Sequence, residues 1–194
     1  MTATELTTQD MTYIEETLGR IPRGILAVSS RSPDGLPVAL KMKCVVEKAP
    51  FPTHFWLCHA LLIEKINFLE SQRIVKPMEE LIETDNGLAA LFLADQKRYQ
   101  QIRNKCLTEE DIKHLSTINI LDQFKDKRGI GGIENFQKIR CLHMQIAHLV
   151  SDANVIGQWL QDKFDLLNFS EDLKSFRERL KKDKLIENAF QKSL

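Results

Sequence analysis

The chain has 194 residues, with 27 basic side chains balanced by 27 acidic ones; a domain of that size buries roughly 70% of its unfolded surface without metal or disulfide support. The charge balance excludes the global field that draws a protein onto nucleic acid or an anionic membrane, so neither is an expected partner. The longest apolar run, Leu88 to Ala94, is far short of the ~20 residues that span a bilayer, and the first ten residues lack a basic start followed by an apolar stretch, so a cytoplasmic location is expected.

Met11, Ile14 and Leu18 recur at helical spacing and Gly19 stands where a C-cap glycine belongs, which predicts a first helix. Gly24 to Ser30 and Val38 to Glu47 are β-branched or alternating, and Thr53 to Cys58 is aromatic-rich. These three runs predict a small, mostly antiparallel sheet, turned at Ser32-Pro33-Asp34-Gly35 and connected again through Ala49-Pro50-Phe51-Pro52. From Leu61 onward the periodicity is helical: Leu62, Ile66 and Leu69 form one stripe, and Leu88, Leu91, Phe92, Tyr99 and Ile102 another. Thr108 followed by three acidic residues opens a further helix, with the charge its macrodipole favours. A break is expected at Lys125 to Gly129, helix again beyond Asn154, and a last helix capped by Ser170-Glu171-Asp172. The fold class is therefore α+β, a small sheet from the N-terminal third packed against a predominantly helical remainder. Residues 1–168 form a single domain, with the charged amphipathic helix of 169–194 appended to it.

The segment from Gly129 to His143, with His148 beyond it, joins a glycine-rich turn to an amphipathic stretch carrying a thiol and two imidazoles. Glycines before a helix N-terminus let backbone N–H groups turn toward an anion, which the dipole also favours. Arg128, Lys138 and Arg140 are close in sequence, and Arg20, Arg23 and Arg31 flank the sheet. No Gly-Lys-Ser/Thr follows, so this is not a P-loop, nor is it the dinucleotide fingerprint. The structural alternative is that the glycines only permit a tight turn. The four cysteines show no paired spacing and are expected as thiols or ligands. Zinc wants four ligands. On a helix beginning before Cys141, that residue and His148 would be about 10 Å apart and His143 would point away. A metal site would need Cys141 at the helix start, with His59 or Cys58 arriving from the third strand. Otherwise Cys141 and His148 are core residues. No serine has a nucleophile-elbow setting.

Four blocks carry a resemblance. Leu18 to Ile25, Gly35-Leu36-Pro37, Phe51 to Leu57, and Gly131-Gly132 through Cys141-Leu142-His143 and Ala147-His148 together resemble an uncharacterised bacterial family known as domain of unknown function 501, over roughly residues 10 to 160. The resemblance implies a thiol-rich site in typical members, which tend to carry cysteine where this chain has Ser32 and His59, Cys141 matching a third. It implies no activity.

Two function classes follow. In the first, Arg20, Arg23, Arg31, Gly129, Gly131, Gly132, Arg140, Cys141, His143 and His148 form a pocket for a small phosphorylated or carboxylated ligand. In the second, the protein is a non-enzymatic regulator or interaction module whose polar cluster is structural, with a protein as its partner. No cofactor is expected in either; zinc at a remnant site of His59, Cys141 and His148 is a further alternative.

Overall fold

The computed structural model describes residues 3–190. Helix α1 (Thr8–Leu18) opens on a capping box, in which the Thr7 hydroxyl accepts the Asp10 N–H and the Asp10 carboxylate accepts the Thr7 N–H. It stops at Gly19, whose φ of 69° is the left-handed C-cap that the sequence predicts.

Strands β1 (Ile25–Arg31), β2 (Pro37–Met42) and β5 (Phe55–Leu57) form an antiparallel sheet in the order β1-β2-β5. The predicted strand 38–47 is interrupted. It ends at Met42, and the chain then makes a separate hairpin from β3 (Val45–Val46) and β4 (Ala49–Pro50), turned through Glu47 and Lys48 at positive φ.

Nine helices follow among the described residues. They are α2 (Ala60–Ser71), α3 (Val75–Thr84), α4 (Asn86–Asn104), α5 (Glu109–Thr117), α6 (Leu121–Lys127), α7 (Leu142–Ser151), α8 (Val155–Phe164), α9 (Leu173–Lys182) and α10 (Leu185–Ala189). Two depart from the sequence reading. Helix α3 carries a proline, Pro77, which is harmless because it falls in the first turn. Helix α6 continues to Lys127, so the expected break is confined to Arg128 and the glycines behind it. Leu91, placed on an apolar stripe, is exposed. The last four residues of the appended segment lie outside the described part. No helix of the described residues is long and apolar enough to cross a membrane.

The sheet has a different neighbour on each face. Val28, Leu40 and Met42 meet Ile14 of α1 on one side. On the other, Val38, Ala39, Phe55 and Leu57 join Leu142, Ile146 and Ala147 of α7 in the main core. Helix α7 is thus buried along its length, between the sheet and the helical body. Phe176 and Leu180 of α9 are buried in that same core. Its two ends are the only parts of α7 that can meet solvent or ligand, and each carries polar side chains.

Candidate functional site at the start of helix α7

Cys141 is the N-cap of α7, with an extended backbone (φ −163°, ψ 160°) and no side-chain cap bond. The first N–H groups of the helix therefore need partners from elsewhere. Glu70 supplies one from the last turn of α2: its Oε1 accepts the Leu142 N–H at 2.6 Å. The same oxygen lies 3.4 Å from His143 Nδ1. One donor atom each from Glu70, Cys141 and His143 falls within 4.8 Å of the others, and all three residues are half-buried.

This corrects the expectation that His143 points away from Cys141. Helical phase does not apply to the pair, because Cys141 stands outside the helix with an extended backbone, and its sulfur lies within 4.8 Å of a ring nitrogen of His143. The electrostatics follow. Burial alone would lower the pKa of His143, but the contacts with Cys141 and Glu70 outweigh it and raise the imidazole to about 9. Burial likewise opposes ionisation of Glu70, and the contacts to His143 and the Leu142 N–H overcome it, leaving that carboxyl below its usual range.

The glycine turn is a neighbour of this cluster, not its anion cradle. Ile130–Gly132 form one 3₁₀ turn, and residues 133–140 separate it from α7. Gly131 and Gly132 have φ of 68° and 79°, and a Cβ on Gly132 would sit 2.7 Å from Pro52 Cγ. The turn thus needs glycine for backbone conformation and for close packing against the 51–54 segment. Gly131 packs on Arg140, whose Cδ would be 3.2 Å from an added Cβ. Gly129 donates its N–H to Ile133 O within the turn.

The other predicted residues fall elsewhere. Arg31 gives its guanidinium to both carboxylate oxygens of Asp10 at 2.7 and 2.8 Å, to Gly35 O and to Thr4 Oγ1, so its donors are engaged. It also belongs to the far end of α7: Ser29, two residues before it, bonds Ser151 at the last position of that helix. Ten residues of helix separate Cys141 from Ser151, a rise of about 15 Å. Arg23 is exposed and pairs with Glu47, and Arg20 is exposed.

His148 is a core residue. It is fully buried, its Nδ1 lies 3.2 Å from Asn154 Nδ2, and its ring stacks on Phe55. Burial holds its pKa below the ordinary value. His59 is the N-cap of α2 and is buried edge-on against Phe169. It lies eleven residues before Glu70 in sequence, about 16 Å along α2. The three thiol positions implied by the resemblance therefore divide. Ser32 and His59 both act on Asp34, whereas Cys141 stands a helix length away, and the set His59, Cys141 and His148 cannot share one ion.

Glu70 is the residue that sequence reasoning missed. A weak signal existed: a carboxylate in the last turn of a helix opposes the macrodipole, and α2 has no basic residue there to offset it. Such placement is costly unless something else uses the charge.

No curated protein sequence and no solved structure matches the chain. The family whose description reads "Protein of unknown function (DUF501)" matches residues 28–162, a span that contains both Glu70 and the start of α7. That match covers well over half of the chain, and the protein belongs to this family.

Proposed function

We propose that the protein binds one divalent transition metal, zinc by ligand type, on Glu70, Cys141 and His143, and that the remaining coordination position takes a small carboxylate or phosphate beside Arg140. The convergence of a carboxylate oxygen, a thiol sulfur and an imidazole nitrogen within 4.8 Å supports this reading. The 3.4 Å between His143 Nδ1 and Glu70 Oε1 is long for a hydrogen bond. It is close to the edge of a tetrahedron with bonds of about 2.0–2.1 Å, the length of Zn–N and Zn–O bonds.

The surroundings fit as well. The Leu142 N–H fixes the orientation of the Glu70 carboxylate, as an outer-shell donor does for a ligating group. The N-terminal end of α7 favours the carboxylate form of Glu70 that ligation requires. Three protein ligands leave one position open, as in sites that bind a water or substrate. The metal also rationalises anion binding at this place. Without it, the Glu70 carboxylate holds the helix N-terminus and faces His143, so no group of the cluster is open to an incoming anion. With it, the open coordination position lies beside the Arg140 guanidinium, which has no ion-pair partner among the described residues.

Cobalt(II) titration tests the site through its thiolate charge-transfer absorption. One equivalent should bind and be displaced by zinc; Cys141→Ser and Glu70→Gln should remove the absorption, and Cys106→Ser should keep it. Phosphate or acetate should raise the melting temperature of the zinc form and leave the metal-free form unchanged, and Arg140→Ala should abolish that gain. A charge-transfer band that survives Cys141→Ser would sink the metal assignment. Equal stabilisation of both forms by phosphate would place the anion elsewhere.

A further inference from the structure

We infer that a second site lies at the opposite end of α7: a cavity of about 650 Å³ that takes a neutral, mainly apolar small molecule bearing one carbonyl or amide, bonded to Ser30. The inference is independent of the metal centre. The cavity opens between the end of β1, the end of α7 and the segment before α9, within the ~300–1,000 Å³ range of small-molecule sites. Val38, Leu149, Val150, Leu167 and Phe169 supply its apolar walls.

Ser30 is the residue without another explanation. It is only 6% exposed, it lines the cavity, and its hydroxyl has no hydrogen-bond partner among the described residues. Leaving a buried hydroxyl unpaired is unfavourable, so such a group in a native fold calls for a ligand or a cause. The ladder between β1 and β2 shifts register on both sides of Ser30, the kind of irregularity that re-aims a side chain next to a site. Neighbouring hydroxyls show the contrast. Ser29 Oγ donates to Ala39 O and meets Ser151 Oγ, and Ser32 Oγ donates to Leu36 O.

The charge of the ligand follows from what the cavity lacks. Arg31 lines it, but the guanidinium is held by Asp10, Gly35 and Thr4. Asp152 at the mouth is paired with Arg98 at 2.7 Å. The last turn of α7 presents the negative end of its dipole here. A carboxylate or phosphate would therefore find no free cation and would face Asp152, whereas a neutral carbonyl accepts the Ser30 hydroxyl and leaves the charges as they are.

Nile red, a neutral fluorophore with a ring carbonyl, is the probe. It should bind the full chain saturably at one equivalent. Decanamide should displace it, and decanoate should do so roughly tenfold less well, since an unpaired carboxylate is costly in such a place. Ser30→Ala should weaken the dye by about fivefold, the loss of one neutral hydrogen bond, without lowering the melting temperature. Ala153→Trp, at the exposed rim, should block binding. Absent saturable binding, displacement by decanoate as strong as by decanamide, or a Ser30→Ala protein that is less stable yet binds the dye unchanged would each overturn the inference.

Discussion

At the scale of single residues, Asp10 shows outside the candidate site how the groups an ionisable side chain faces govern its titration. Its carboxylate caps α1 and also accepts two bonds from Arg31, joining the helix to the end of β1. The Arg31 guanidinium is the first cause of a pKa held well below the usual carboxylate range, and burial opposes it. A folded pKa depressed in this way contributes stability above the unfolded value of about 4, and that contribution is lost as pH falls below it. Asp10→Ala should destabilise the protein by about 2–3 kcal/mol at neutral pH, combining the lost cap and an Arg31 left unpaired. The variant should lose less further stability than the wild type between pH 4 and 2. Denaturant titrations at the two pH values measure both differences; equal acid losses in the two proteins would show that Asp10 is not the group responsible.

At the scale of elements, positive-φ glycines test how tightly the site loop is fitted. Gly132→Ala forces a left-handed backbone on alanine and drives a Cβ to 2.7 Å from Pro52 Cγ, at a cost of about 1–3 kcal/mol. Gly35, with φ of 88° but open space around it, has only the backbone component, so Gly35→Ala should cost less in the same chemical denaturation series. These elements also show what was legible in the sequence. Helix α1, its glycine cap, the acidic first turn that opens α5 after Thr108 and the first turn of the sheet were readable because each rests on local chemistry within a few residues. The β3–β4 hairpin was hidden because Glu47 and Lys48 adopt a conformation their side chains do not advertise. Helix α3 was masked by Pro77, whose tolerance depends on its position in the first turn. The candidate site was half legible. Cys141 and His143 stood out as neighbouring donors, but their predicted relation was reversed because the helix expected to carry both begins only at Leu142. Glu70 comes from 71 positions before Cys141 and arrives only because α2 ends where α7 begins.

At the scale of the whole molecule, four of the five histidines, His54, His59, His143 and His148, divide into two classes with opposite linkage to folding, and together they set where the metal-free protein is most stable. His54 is buried, and desolvation lowers its pKa to about 4; burial pushes His148 and His59 down in the same way. In the unfolded chain each protonates near 6.5. Between about pH 6.5 and 4 the unfolded state therefore binds more protons, and stability must fall as the solution is acidified. His143 has the other sign. Its folded pKa of about 9 means that the native state holds a proton which the unfolded chain has released above 6.5. The stability from its contacts with Glu70 and Cys141 is complete below 6.5 and is lost as pH rises toward 9, a change on the order of 2–3 kcal/mol. The melting temperature in the presence of a chelator should accordingly peak near pH 6.5 and decline on both sides. His143→Gln should flatten only the alkaline limb, because His54, His59 and His148 act on the other side of the maximum. Zinc should also shift the alkaline limb upward in wild type, since ligation requires His143 and Cys141 without their protons and competes better as pH rises. A His143→Gln protein whose alkaline limb still falls as steeply as that of the wild type would refute the assignment of that limb to the cluster at the start of α7.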